Sequence, residues 1–138
     1  MSDNKAIIRR FIDEYQTGGD KVVLRETVSP RLVNRTPMQP DPQGGVEEVE
    51  QIFDMFHAAF ADFRVEVLDQ LAEGDKVMTY KVFSGTHTGE FQGIAPTGRA
   101  VRFDVMDIVR LDGGQIVEHW GMVDQLGLLR QLGVLGGS

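Results

Sequence analysis

After Asp62 the spacing of apolar residues changes from helical to alternating, and that change restricts the fold more than any other feature of the chain. Upstream, Ile8, Phe11, Ile12 and Tyr15 fall on one face of a helix that Ser2 or Asp3 can cap and Gly18-Gly19 stops. Asp20 can cap a second short helix carrying Val22, Val23 and Leu24, and Ser29-Pro30 breaks it. A short strand over 31–36 and a proline-rich loop over 37–45 precede a third helix, with Val46, Val49, Ile52, Phe53, Phe56 and Phe60 at helical spacing. Glu47, Glu48 and Glu50 suit the positive end of that helix dipole. Downstream, Phe63, Val65, Val67 and Leu71 alternate with polar residues up to the turn Glu73-Gly74-Asp75. Strands over 76–88, 100–111 and 115–123 follow, then an amphipathic piece, Leu126 to Leu132, that ends at Gly133. Helices first and a meander of long antiparallel strands afterwards predict an α+β fold, in which N-terminal helices pack on a curved sheet to form a cone open at one end.

The 138 residues suit a single domain over 1–138, with a frayed tail at the closing GGS. With 21 acidic against 14 basic residues and a net charge of -7, the surface repels phosphate backbones, so no nucleic-acid partner is expected. The absence of cysteine excludes disulfides and thiolate chemistry. No stretch has the length and apolarity of a signal peptide or a membrane span, which makes a cytoplasmic location and no membrane partner the expectation.

Strand 100–111 carries the strongest hint of chemistry. Its odd positions are Val101, Phe103, Val105, Asp107, Val109 and Leu111, which places Asp107 in the middle of a core face. An unpaired carboxylate there is costly, so it must be hydrogen-bonded, protonated or facing a cavity. A two-residue turn at Asp112-Gly113 sets Val109 opposite Ile116, Asp107 opposite Glu118, Val105 opposite Trp120 and Phe103 opposite Met122. That register turns Ile116, Glu118, Trp120, Met122 and Asp124 inward and His119 outward, although a bulge could still turn His119 in. The expected outcome is an apolar concavity holding three carboxylates.

Each candidate has a plainer role open to it. Asp124 either works as an acid/base or caps the Leu-rich segment, and Asp107 is either reactive or a satisfied structural carboxylate. Glu118 is as compatible with an ion pair at the rim, and Trp120 with core packing. His87 lies in GTHTGEF beside a glycine-rich loop, where functional groups concentrate, whereas His57 reads as structural. No metal-binding spacing and no nucleotide or nucleophile-elbow motif occurs, so no metal site is expected.

FADF at 60–63, GTHTGEFQG at 85–93, PTGR at 96–99, DIVR at 107–110, DGGQIVEHW at 112–120, Asp124 and QLG at 131–133 closely resemble the SnoaL-like polyketide cyclases, or ester cyclases, of the nuclear transport factor 2-like superfamily. The resemblance runs over nearly the whole chain. It implies a cone-shaped α+β barrel, a homodimer, and a hydrophobic small-molecule substrate such as an aromatic polyketide. The implied reaction is an intramolecular aldol condensation that closes a ring without a cofactor. It also implies a carboxylate acid/base on the last strand, matched by Asp124, with His87 and His119 as the candidate histidines and Asn34 lining the pocket. Arg35 departs from the histidine many relatives carry there, which bears on the substrate.

An apolar wall of Trp120, Phe103 and Val105 would raise a carboxylate toward the basicity that proton removal from carbon needs. Asp124→Asn is then expected to keep the fold and lose turnover. The rival expectations are a steroid isomerase-like or epoxide hydrolase-like activity in the same pocket, or a ligand-binding dimer without catalysis.

Overall fold

The computed structural model describes residues 3–38 and 44–134. The N-terminal helix α1 (Asn4–Arg10) is capped by Asp3, whose carboxylate accepts from the Ala6 N–H, and runs on into a π-helical segment, Phe11–Thr17. Helix α2 (Lys21–Thr27) is capped by Asp20. It leads directly into strand β1 (Val28–Asn34), so Ser29-Pro30 lies within the strand rather than before it. Helix α3 (Gly45–Ala59) is followed without a loop by β2 (Phe60–Glu73), and Phe60 is thus the first strand residue rather than the last helical one. Strands β3 (Lys76–His87), β4 (Ala100–Asp112) and β5 (Gln115–Val123) complete the sheet, and α4 (Gln125–Leu132) ends at Gly133 with a positive φ of 77°. The α+β fold expected from the pattern is the fold found. Most of the loop expected over 37–45, the Ser2 cap and the GGS tail lie outside the described residues.

The five strands are ordered β1-β5-β4-β3-β2, with β1 parallel to β5 and every other pairing antiparallel. The concave face receives the helices. Ile8, Ile12, Leu24, Phe53 and Phe56 bury against Val77, Phe83, Val101, Phe103 and Val109. Phe56 is the hub of the aromatic cluster, stacked on Phe63 at 5.3 Å and edge-on to Phe83. Among the described residues no helix is long and apolar enough to cross a membrane.

The β4–β5 hairpin corrects the expected register. Its two-residue turn is Gly113-Gly114, both at positive φ, with Asp112 opposite Gln115 and Leu111 opposite Ile116. Ile116 therefore faces inward, as expected. A bulge then adds one residue to β5, so that Arg110 faces Glu118, Val109 faces His119, Asp107 faces Gly121 and Val105 faces Val123. One extra residue exchanges the faces of everything beyond it. His119, Gly121 and Val123 turn inward, while Glu118, Trp120 and Met122 turn out.

Candidate active site

A cavity of about 110 Å3 opens between the concave face of the sheet, the π-helical segment and α3. Its walls are apolar, formed by residues such as Ile8, Phe11, Val49, Ile52 and Val105. One band of polar groups crosses it: Gln16, Lys81, Asp107, His119, Asn34 and Glu48. Each comes from a different element. Gln16 is carried by the π-helical segment, Lys81 by β3, Asp107 by β4, His119 by β5, Asn34 by β1 and Glu48 by α3.

Lys81 Nζ lies 2.8 Å from Asp107 Oδ2 and donates to Gln16 Oε1 at 3.2 Å. Burial pushes the Asp107 carboxyl up, but the Lys81 ammonium, with His119 adding to it when protonated, outweighs that and holds the group below the ordinary carboxylate range. His119 Nε2 stands 3.6 Å from the same carboxylate oxygen. On its other side, His119 Nδ1 is 3.0 Å from Asn34 Oδ1, and Asn34 Nδ2 donates to Glu48 Oε2 at 2.7 Å. The β1–β5 pairing places Asn34 directly opposite His119. Gly121 leaves room for the ring, since a Cβ there would stand 2.8 Å from His119 Cε1. Gly121 also donates its N–H to Thr36 Oγ1 at 2.7 Å.

The His119 side chain is 30% exposed, against 9% for Asp107 and 3% for Lys81. It is therefore the most reachable of these three, with a buried countercharge behind it. Such an arrangement can take a proton from a ligand in an apolar site and stabilise the cation that results.

The other sequence candidates lie elsewhere. Asp124 is the N-cap of α4, its Oδ1 accepting from Gly127 N–H at 2.9 Å, and its side chain is not on the cavity wall. Glu118, expected inside, sits on the outer face between Arg35 Nη2 at 2.8 Å and Arg110 Nε at 2.6 Å. Hydrogen bonds from Arg110 and Arg35 lower its carboxyl below the ordinary range. Trp120, also expected inside, lies on the outer face with Lys76 Nζ 5.3 Å from its ring centroid. Phe103 is deeper than the cavity, packed on Phe56, Phe60 and Phe83. His87 is fully buried, where its Nδ1 accepts from Thr97 N–H at 3.1 Å and ties the β3–β4 connection to the end of β3. Among the described residues no cluster of three or more His, Asp or Glu side chains could hold a metal ion.

Sequence reasoning missed Lys81, Gln16 and Glu48. For Lys81 the signal was present, because Val77, Thr79, Lys81 and Phe83 alternate onto one face as the residues of β4 do. Glu48, assigned to the helix dipole, is 3% exposed and turns to the cavity. Gln16 reaches inward through the π-helical segment, an irregularity with no compositional mark.

The family model for SnoaL-like polyketide cyclases matches residues 6–132. Aklanonic acid methyl ester cyclase AcmA of Streptomyces galilaeus is 28% identical over 134 residues, which span 96% of this chain and 92% of that protein. Of solved structures, IdmH from Streptomyces antibioticus superposes with a TM-score of 0.84 at 31% identity, covering 96% of this chain and 99% of IdmH. TsrD from Streptomyces laurentii superposes with a TM-score of 0.85 at 28% identity, covering 95% of each chain.

Proposed function

The chain belongs to the SnoaL-like polyketide cyclase family, and from that premise we propose that it closes a ring in a hydrophobic polyketide ester by an intramolecular aldol reaction, with His119 as the acid/base and Asp107 as its countercharge. The observation that carries this reading is the approach of His119 Nε2 to within 3.6 Å of the Asp107 carboxylate, in an otherwise apolar cavity. His119 Nε2 takes a proton from a carbon flanked by carbonyl groups. The resulting enolate carbon attacks a ketone carbon of the same molecule. The imidazolium then returns the proton to the new alkoxide oxygen. Every atom is accounted for by the substrate and one histidine, so the reading calls for no cofactor. Asp107 stabilises the imidazolium between the two transfers, and its ionised state, held by Lys81, suits that task better than proton abstraction.

The test uses aklanonic acid methyl ester, the substrate in the name of the AcmA relative, and follows ring closure by chromatography. His119→Gln should lower turnover by about 10^2-fold or more, the usual contribution of a general acid/base. Undiminished cyclisation by His119→Gln would overturn the assignment.

We further propose that the protein pairs with a second copy through the convex face of the sheet. Leu71, Met78, Ile108 and Trp120 stand in one cross-strand row, and Tyr80, Met106 and Met122 in the next. Met122 is 74% exposed and Leu71 59%, an apolar surface unusual for a monomer. Arg102 and Asp104 on the same face give a two-fold arrangement opposite charges to match. Met122→Lys should convert a dimer into a monomer in light scattering, and a monomeric wild type would refute the pairing.

A further inference from the structure

We propose that Glu48 is a positioning residue that sets, through Asn34, which nitrogen of neutral His119 carries the proton, so that Nε2 faces the cavity bare. The Asn34 amide has two possible orientations, and its partners permit one. Glu48 Oε2, 2.7 Å away, accepts, so the amide nitrogen must point there. Thr36 N–H, 3.1 Å away on the other side, donates, so the amide oxygen must point there. The reversed amide would set its NH2 against an N–H and its oxygen against a carboxylate. With the oxygen turned toward β5, His119 Nδ1 at 3.0 Å faces an acceptor that has no proton to give. The acceptor beside the other ring nitrogen, Asp107 Oδ2, stands 3.6 Å from Nε2, beyond hydrogen-bond reach, so neutral His119 carries its hydrogen on Nδ1.

Glu48 is itself fixed. It is 3% exposed, and its Oε1 accepts from Gly44 N–H at 2.9 Å. The other two histidines have the opposite arrangement. His87 Nδ1 accepts from Thr97 N–H, and His57 donates from Nε2 to the Gln16 carbonyl oxygen at 2.7 Å, so both carry the hydrogen on Nε2. His119 is thus the one histidine of three whose Nε2 is left free to accept a proton, and that nitrogen is the one near Asp107.

Histidine-labelled 15N spectra of the full chain, recorded where the imidazoles are neutral, test this directly. The His119 signals, identified by their loss in His119→Gln, should show a protonated Nδ1 and a bare Nε2, the reverse of His57 and His87. Glu48→Met should draw the two His119 nitrogen shifts together as tautomers mix, and in an Asn34→Leu background Glu48→Met should change nothing further. Turnover of the ester should fall about tenfold in Glu48→Met with KM held within about threefold, an arm that rests on the cyclase reading. The spectra do not rest on it, so an inactive protein with the expected tautomer would refute the cyclase reading alone. A His119 that carries its proton on Nε2 in the wild type, or that keeps the Nδ1 pattern unaltered in folded Glu48→Met or folded Asn34→Leu, would overturn the role of Glu48.

Discussion

The Lys81 ammonium stands 2.8 Å from the Asp107 carboxylate, with side chains only 3% and 9% exposed, at the base of the band of polar groups. Both are held out of bulk solvent, so removing either leaves the other buried without its countercharge. Lys81→Met should therefore destabilise the fold by about 3–5 kcal/mol, the usual result of stranding one member of a buried pair. Lys81→Met combined with Asp107→Asn should recover much of that loss, because the stranded charge is gone. Urea unfolding of the two variants is the measurement.

The same pair fixes a pH dependence. The Asp107 carboxyl is lower in the folded chain than in the unfolded one, so folding releases its proton. Its contribution is fully present above the unfolded value, about 4, and is lost as pH falls below that toward the folded value. Glu118, lowered by Arg110 and Arg35, has the same sign. Acid titration of stability should show a fall beginning near pH 4 that becomes shallower in Asp107→Asn/Lys81→Met.

Gly121 tests the packing around His119. A methyl group there would stand 2.8 Å from His119 Cε1 and 3.6 Å from Asp107 Cβ, so the ring must shift. Gly121→Ala should cost about 1–3 kcal/mol, as overpacking does. It should also move the His119 imidazole signals and lower turnover, while the His87 signals stay in place.

Asp124 separates the two roles open to it in the sequence. As the N-cap of α4 it accepts from the Gly127 N–H. Asp124→Ala should lower stability by about 0.5–2 kcal/mol, the range for a lost cap. Ester turnover per folded molecule should stay within about threefold of wild type, since a general acid/base would contribute far more.

Local chemistry written in order along the chain was enough for much of this protein. Asp3 and Asp20 cap helices because short acceptors suit unpaired N–H groups, and the change of period after Asp62 separates helices from sheet. Period-two alternation alone put Asp107 on the inner face, and the same rule applied to β3 puts Lys81 beside it. What the sequence left open was the face of β5 beyond Ile116. The bulge between Ile116 and Glu118 is a single unpaired residue, and no residue type requires it. It is settled by which alternative packs and pairs better. In the folded chain Glu118 reaches Arg35 and Arg110, and His119 reaches Asn34 and Asp107. Those partners are 8 to 85 residues away along the chain and come from two other strands, β4 and the end of β1. Glu48 and Gln16 were hidden for the same reason: a carboxylate in a first helical turn looks solvated until β1 brings Asn34 to it. Spacing along the chain determined the elements and one acid of the cavity, and only the pairing of distant strands decided which neighbours that acid would have.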